Sequence, residues 1–227
     1  MAFRASRAFS ATGSLQLLVL RVLLELKAYL NMIPQPENNP DPILRVRLDQ
    51  FDARKGLDRG RPRWFEACWY LVKCAFFLSA LPWPSALKRV LLRGFGAKVG
   101  QGVRIMPRTS IHFPWKLEIG DFCWIGQECE FLNFEPIRLG NHVALAHRVY
   151  VATGNHDYKD HTMPYRNASI QIDDGTWVAS CTFIGPGVHI GEHCVVTAGS
   201  VVNKSVPAWS IVQGNPAAVV RKRVLER

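Results

Sequence analysis

The sequence predicts a mainly β fold: a parallel β-helix of about five triangular coils, preceded by an α-helical N-terminal extension. Every sixth residue from Ile172 to Val202 is an aliphatic residue that branches at Cβ. A small residue, such as Thr176 or Cys194, follows each of these by four positions. A period of six is neither the period of an α-helix nor the alternation of an ordinary strand, and it is typical of stacked hexapeptide coils.

The same period runs upstream in groups of three, as a prism with three faces per coil requires. The fifteen positions are Val99, Ile105, Ile111, Ile119, Ile125, Phe131, Leu139, Leu145, Val151, Ile172, Val178, Ile184, Ile190, Val196 and Val202. We therefore assign residues 97–206 to the β-helix. Two extra residues follow the first and second groups and fifteen follow the third. Because insertions in a repeat protein gather on one edge, often the binding edge, we expect chemistry in the loop near 154–169.

The positive charge is concentrated in the N-terminal part of the chain. Of 28 Lys and Arg and 18 Asp and Glu residues, 16 and 7 lie in residues 1–98, and the rest of the chain is nearly neutral. A membrane surface, a nucleic acid or a merely solvated face each explains such a segment. The sequence has no zinc-finger spacing, RNA-binding aromatic signature or basic heptad region, so we expect no nucleic-acid partner.

The six cysteines are interpreted as reduced and structural. No CxxC pair occurs, and Cys123, Cys129 and Cys194 fall on the small inward position of a hexad, where a cysteine packs as a compact hydrophobe. This usage favours thiols over disulfides or a metal site, and it suits a cytoplasmic protein.

Residues 1–63 are predicted to be a basic N-terminal extension and linker. The apolar run 15–30 carries Arg21, Glu25 and Lys27, whereas a spanning helix needs ~20 nearly uncharged residues. We therefore expect an amphipathic or interfacial helix, with a targeting leader or an unneeded extension as alternatives.

Residues 64–96 are predicted to form a helical cap. Terminal repeats need covering, so we expect these helices to close the open end of the β-helix, although the apolar stretch 64–81 also suits a membrane surface. Residues 207–227 are a C-terminal tail that holds a final strand or helix.

His156 lies in the inserted loop, directly after the last strand of the third coil. An imidazole can take up and return a proton near neutral pH, which suits a general base for a hydroxyl acceptor. On loop position alone, a surface histidine without function is the simpler interpretation.

Several strings resemble the hexapeptide-repeat acyltransferases. They are FGAKVG, PWKLEIGD, VATGNHDY, GTWVAS, FIGPGVHIGEHCVVTAGSVV and GNPAAVVRKR, and the resemblance covers residues 45–223. More narrowly, the chain resembles the colanic-acid-type acetyltransferases of exopolysaccharide synthesis, cousins of the galactoside, maltose and nodulation O-acetyltransferases.

The resemblance implies a left-handed β-helix, a homotrimer with sites between adjacent subunits, and acetyl-CoA as donor without a metal. It also implies that His156 deprotonates a sugar hydroxyl, which attacks the thioester directly without an acyl-enzyme. Such a mechanism needs a base within hydrogen-bond reach and donors aimed at the developing oxyanion.

The resemblance also assigns the binding residues. It places Asn133 on the acceptor side, Ser180 near the thioester, Ala198 along the pantetheine arm, and Lys204 and Arg221 near the phosphates of the cofactor, where cations suit phosphate. Each is also a plausible scaffold residue, and Asn133 suits a turn at the end of a strand equally well.

The tail departs from the family pattern. Ala218 stands where many relatives have a cation, and Asn203 replaces a common Thr. The loss of that cation weakens the expectation of 3′-phosphate binding, and Arg221 matches a second phosphate contact of the family. Asp157 and Asp160 are both candidates to orient His156, and the sequence does not choose between them.

Two other functions remain open. Zinc carbonic anhydrases share the fold, and His142 and His147 have the spacing of their ligand pair, with His112 as a possible third; however, both lie one step late in the hexad. A non-catalytic scaffold is the second, although the TG-x-H string, the long loop and the basic tail argue against it.

The function that we expect is therefore acetyl-CoA-dependent O-acetylation of a sugar hydroxyl, in exopolysaccharide or cell-surface polysaccharide biosynthesis. Serine and amino-sugar N-acetyltransferases share the fold, but the chain lacks a long helical serine-acetyltransferase N-domain. A lipid-linked acceptor would explain a peripheral contact of the N-terminal region with the inner face of the membrane.

Overall fold

The computed structural model describes residues 20–28 and 45–226. The chain divides into two compact units, Met1–Arg45 and Val46–Arg227. In the first unit, residues 20–28 form a helix whose side chains are exposed, and the remainder of the predicted extension up to residue 44 lies outside the described residues. Within the two described ranges, no helix has the length and apolar character needed to cross a membrane.

The second unit is a parallel β-solenoid with three sheets as its faces, which confirms the mainly β fold. The first face contains β1 (Lys98–Val99), β4 (Leu117–Ile119), β7 (Ile137–Leu139), β10 (Ile170–Ile172) and β13 (His189–Ile190). The second face contains β2 (Arg104–Ile105), β5 (Trp124–Ile125), β8 (Ala144–Leu145), β11 (Trp177–Val178), β14 (Val195–Val196), β16 (Ser210–Gly214) and β17 (Ala217–Lys222). The third face contains β3 (Ser110–Ile111), β6 (Glu130–Leu132), β9 (Tyr150–Ala152), β12 (Phe183–Ile184) and β15 (Val201–Val202).

The hexad residues build the core. All fifteen positions identified from the sequence lie in a strand and are buried, with Val99 the most exposed at 8%. Successive side chains of a strand point to opposite sides, so each short strand sends one residue inward and its neighbour outward. The small residues at the corners, Cys123, Cys129 and Cys194 among them, are buried as well.

The solenoid has about six turns rather than the predicted five. The hexad pattern ends at Val202, but the chain continues around the prism. Val206 forms a parallel bridge with Ile190 on the first face, and β16 pairs in parallel with β14 on the second. β17 then turns back antiparallel to β16, so the predicted tail forms two strands. The sixth turn was missed because it is incomplete and because Val206 follows Val202 by four residues instead of six.

Two helices lie against the first coil. They are α1 (Arg63–Val72), which continues into a π-helical turn (Lys73–Phe77), and α2 (Ser85–Gly94). Short 3₁₀ helices occur at Leu48–Gln50 and Pro114–Lys116. Trp69, Phe77 and Leu92 are buried in the same core cluster as the hexad residues.

Basic side chains of α2 bond the carbonyls at the open edge of the first coil. Lys88 Nζ donates to Ile105 O at 3.2 Å and Arg93 Nε donates to Val99 O at 2.9 Å. From α1, Trp69 Nε1 donates to Ile111 O at 3.0 Å. Each face of the first coil therefore has backbone acceptors satisfied by a helix, as an otherwise unpaired strand edge requires. The domain boundaries at residues 63 and 96 stay predictions.

Candidate active site

The insertion of the third coil connects β9 to β10 and forms a small hairpin. Its two sides meet at an antiparallel bridge between His156 and Tyr165, flanked by a bond from Arg166 N to Asn155 O at 2.8 Å. The insertion leaves the prism at the edge between the third and first faces. The loop predicted to carry chemistry is therefore an ordered extension of one edge, with His156 in its first strand-like arm.

The ring of His156 is held by a backbone carbonyl. Its Nδ1 lies 2.6 Å from Met163 O. Because a carbonyl oxygen only accepts, Nδ1 carries the hydrogen of this bond, and in the neutral ring Nε2 then holds the lone pair. The half-buried imidazole is thus arranged as a proton acceptor at Nε2.

Aromatic rings surround the imidazole. The centroids of Phe51 and Tyr165 lie 5.3 and 5.0 Å from that of His156. Phe51 belongs to the segment before α1, which is tied to the insertion by a bond from Arg47 N to His161 O at 2.8 Å. A segment predicted to be a linker therefore forms one wall around His156.

The glycine before Asn155 lets the insertion leave the coil close to a neighbouring ring. A Cβ on Gly154 would lie 2.9 Å from Cδ2 of Phe134, which is closer than side chains tolerate. Substitution of Gly154 would displace either Phe134 or the root of the hairpin. Phe134 packs on Tyr165, which packs on His156, so either shift would disturb the aromatic surroundings of His156.

Asn133 lies one coil earlier on the same edge and is fully buried. Its Oδ1 accepts from His112 N at 3.1 Å and from Phe113 N at 2.9 Å, and its Nδ2 donates to Phe113 O. These contacts support the alternative of a strand-end turn. The acceptor-binding role of Asn133 stays a prediction.

Of the predicted cofactor residues, Ser180 and Ala198 are neighbours. They occupy corners of successive coils at the edge between the second and third faces, where Gly199 N donates to Ser180 O at 2.9 Å. Lys204 follows β15 and is exposed at the edge that carries His156, and Arg221 is exposed on β17. The next residue but one, Arg223, bonds Gly175 O at 3.0 Å, so it serves the scaffold.

One chain therefore divides the predicted site between two edges. His156 and Lys204 lie at the edge between the third and first faces, whereas Ser180 and Ala198 lie at the edge between the second and third. The third face separates the two groups.

The candidate zinc ligands are also separated. His142 lies at the corner between the first and second faces, His147 at the next corner and His112 at the third. His142 stacks on Phe122, with ring centroids 5.4 Å apart. Among residues 20–28 and 45–226, no three His, Cys, Asp or Glu side chains lie close enough together to hold a metal ion.

Two features of the site had no recognised signal in the sequence. The partner of His156 is the carbonyl of Met163, not Asp157 or Asp160, whose Oδ1 atoms accept instead from Lys159 N at 3.1 Å and Thr162 N at 2.8 Å. A backbone acceptor leaves no trace in residue identity. Phe51 was missed because it lies far away in sequence, within a segment that contains turn-forming and basic residues.

Comparison with known proteins gives consistent results. No family model matches the chain. The WcaF protein of Escherichia coli K12, named as a colanic acid biosynthesis acetyltransferase, is 37% identical over 180 residues, which are 78% of this chain and 97% of that protein. A galactoside O-acetyltransferase of Lactococcus lactis is 28% identical over 58% of this chain and 66% of its own length.

A solved structure gives the same answer for the fold. The hexapeptide-repeat acetyltransferase of Vibrio cholerae, crystallised with acetyl coenzyme A, is 26% identical, with a TM-score of 0.64 over 70% of this chain and 87% of that chain. The hexads and corners of the solenoid agree with an alignment that spans nearly the whole length of WcaF at 37% identity, and the chain belongs to the hexapeptide-repeat acetyltransferases.

Proposed function

We propose that the protein transfers the acetyl group of acetyl-CoA to a hydroxyl of a sugar, with His156 as general base. The observation that carries this proposal is the bond between His156 Nδ1 and Met163 O, since it fixes the tautomer that leaves Nε2 ready to accept a proton. The donor is supported by the Vibrio cholerae relative, which was crystallised with acetyl coenzyme A.

In the proposed reaction, Nε2 of His156 removes the proton of the acceptor hydroxyl as its oxygen attacks the thioester carbonyl. The new C–O bond forms, the C–S bond breaks, and the proton passes from the imidazolium to the leaving thiolate. No acyl-enzyme forms, so the protein supplies a base and positioning but no nucleophile. Phe51 and Tyr165 restrict the orientation of the imidazole, so that the base is preorganised for proton transfer.

We also propose that three copies assemble and that each site lies between two of them. The separation of His156 and Lys204 from Ser180 and Ala198 supports this arrangement, because a neighbouring copy can bring the second edge to the first. In a closed ring built from these two edges, the third face turns toward the threefold axis. Its outward residues in the last three strands are Tyr150, Phe183 and Val201, which are only partly exposed and suit an interface.

The acceptor is proposed to be a sugar in exopolysaccharide or cell-surface polysaccharide synthesis. The support is the name of the E. coli relative, which is 37% identical and linked to colanic acid biosynthesis. The exposed cations Lys204 and Arg221 are proposed to meet the phosphates of the donor, and Ser180 and Ala198 its thioester and pantetheine arm.

The test is thiol release from acetyl-CoA in the presence of a panel of sugars, sugar nucleotides and lipid-linked glycans. For His156→Ala we expect turnover to fall by about 10²- to 10⁴-fold, the usual contribution of a general base, while acetyl-CoA binding remains. His161→Ala is the matched control, because it removes an exposed histidine from the same hairpin. Equal turnover in both variants would exclude His156 as the base, and a protein that neither binds acetyl-CoA nor turns over would favour a scaffold.

A peripheral contact with the inner face of the membrane is proposed for the N-terminal region. The supporting observation is the exposed helix 20–28, in which Leu20, Leu23 and Leu24 are each more than half exposed. In flotation with anionic vesicles, the full-length protein should float with the vesicles at low salt, and the bound fraction should decrease at high salt. Full recovery in the unbound fraction at low salt would contradict the proposal.

A further inference from the structure

A cavity of about 530 Å³ lies between α1 and the first coil, and none of the predicted cofactor residues lines it. Its charged lining consists of Arg59, Arg63, Lys73 and Glu66. Three cations and one carboxylate leave an excess of two positive charges. Trp69 and Tyr70 supply aromatic surface, so the cavity combines cations with rings.

The single carboxylate of the lining, Glu66, is already paired with a cation. Glu66 takes two bonds from Arg59, at 2.7 and 2.6 Å, which join the segment before α1 to the helix itself. Neither Arg63 nor Lys73 forms an ion pair with any residue in the described ranges. The excess charge of the cavity therefore resides on Arg63 and Lys73.

Lys73 is held where its charge is poorly solvated. Its Nζ lies 5.4 Å from the ring centroid of Tyr70. Burial lowers the pKa of its ammonium, because the charged form loses water, and the charge of Glu130 on β6 offsets only part of this shift. A bound anion would offset this loss. A half-buried cation without an ion pair costs free energy in the folded protein, and a bound anionic ligand would reduce that cost.

His112 adds a neutral polar ring to the same wall. Burial, and then the charges of Lys73 and Arg59, lower the pKa of His112 to about 4. The imidazole is therefore uncharged at neutral pH and can donate and accept hydrogen bonds without adding to the positive charge.

A line of rings connects this cavity to the catalytic histidine. The centroid of His112 lies 5.0 Å from that of Phe134, which lies 5.9 Å from Tyr165, which in turn lies 5.0 Å from His156. All of these residues lie at the edge between the third and first faces. A ligand anchored in the cavity can thus reach His156 along partly exposed aromatic surface.

We propose that this cavity binds the diphosphate of a glycosyl diphosphate acceptor, with Arg63 and Lys73 as the phosphate ligands. This inference rests on the proposed O-acetyltransferase function and names the class of its acceptor. A diphosphate diester carries two negative charges, which match the two unpaired cations, and guanidinium and ammonium groups both suit phosphate oxygens. The sugar then extends along Phe134 and Tyr165 and presents a hydroxyl to Nε2 of His156.

The test is calorimetric titration of the full chain with inorganic pyrophosphate. Desulfo-coenzyme A is present at saturation, so that the donor site is filled and cannot bind the probe. The double variant Arg63→Gln, Lys73→Gln should bind pyrophosphate at least about tenfold more weakly, the loss expected from charge-assisted hydrogen bonds. The matched control is Lys98→Gln, Arg138→Gln, which removes two cations from the first face and should bind as the unaltered protein does.

The outcomes separate this inference from the proposed function. Binding of acetyl-CoA without any binding of pyrophosphate, or equal weakening in both double variants, would overturn the diphosphate site alone. Failure to bind acetyl-CoA would instead overturn the proposed function. Tighter binding of methyl glucuronide than of pyrophosphate would assign the cavity to a carboxylate and also overturn the proposal.

Two acceptor sources share this chemistry, and turnover distinguishes them. A nucleoside diphosphate sugar and a sugar linked by diphosphate to a short prenyl chain are compared with the free sugar. Preference for either diphosphate over the free sugar, lost in Arg63→Gln, Lys73→Gln, supports the inference and identifies the source. Equal turnover of all three acceptors would overturn it.

Discussion

The outward side chains of the first and third faces differ although their inward side chains are alike. On the first face the outward column reads Lys98, Glu118, Arg138, Gln171 and His189, and on the third it reads Ser110, Glu130, Tyr150, Phe183 and Val201. Glu118 pairs with Lys98 at 2.9 Å and with Arg138 at 3.6 Å, whereas the rings of Tyr150 and Phe183 meet at 5.5 Å. Inward, both faces present buried residues.

The difference shows that the inward and outward residues of each strand are constrained differently, the first by packing and the second by what the face contacts. The inward residue must fill the prism, so its size and apolar character repeat at every coil. The outward residue meets either water or another surface, so it varies from face to face. A charged ladder marks a face that stays in water, and a partly exposed apolar ladder marks a face that is available to a second copy.

The largest effect is expected inside the prism, where the two faces should behave alike. Ile184→Ala and Ile172→Ala each remove buried methyl groups, and each should lower the free energy of unfolding by about 2–5 kcal/mol. Denaturation by urea, followed by tryptophan fluorescence, measures both. A much smaller loss at one face than at the other would contradict the equivalence of the inward positions.

The next effect should separate the faces. Phe183→Glu would place three carboxylates around the proposed axis, and we expect the assembly to dissociate to a species near the chain mass of 25.6 kDa. Light scattering after gel filtration measures this mass. Gln171→Glu adds the same charge to the first face and should leave the assembly intact. A Phe183→Glu protein that stays trimeric would exclude the third face from the interface.

The smallest effect is expected on the charged ladder. Arg138→Gln removes one partner of Glu118 at an exposed site, where ion pairs contribute about 0–1 kcal/mol. The change in the free energy of unfolding should stay within this range and should shrink further in high salt. A loss comparable to that of Ile172→Ala would show that the first face is covered, which would reverse the comparison.

The sequence predicts the inward half of this molecule well. Fifteen hexad positions identified from the period alone all lie in strands and in the core, since the inward residue of each hexad recurs in every strand of the coils. The incomplete sixth turn escaped because Val206 follows Val202 by four residues instead of six, although Val212 in β16 again follows Val206 by six. The position of the insertion between β9 and β10 was also predicted correctly, because extra length is visible in a sequence, whereas the role of His156 stays a prediction.

The surroundings of His156 could not be derived in the same way. Met163 acts through its carbonyl, and Phe51 arrives from a segment about a hundred residues away, so neither follows from local pattern. The cavity between α1 and the first coil depends on how a helix docks, which the period does not specify. Its cations were noticed in the sequence only as part of a basic N-terminal region.

The helices at the start of the solenoid protect the chain against end-to-end polymerisation. A parallel coil with bare ends is a template on which another coil can add, and addition without closure gives a fibre. Lys88, Arg93 and Trp69 occupy the acceptors that an incoming strand would need. At the other end, β17 runs antiparallel to β16 and interrupts the parallel stacking of the second face. A coil gained or lost in the middle of the solenoid would leave both ends unchanged, so the number of coils can vary without exposing the strand edges that the helices and β17 cover.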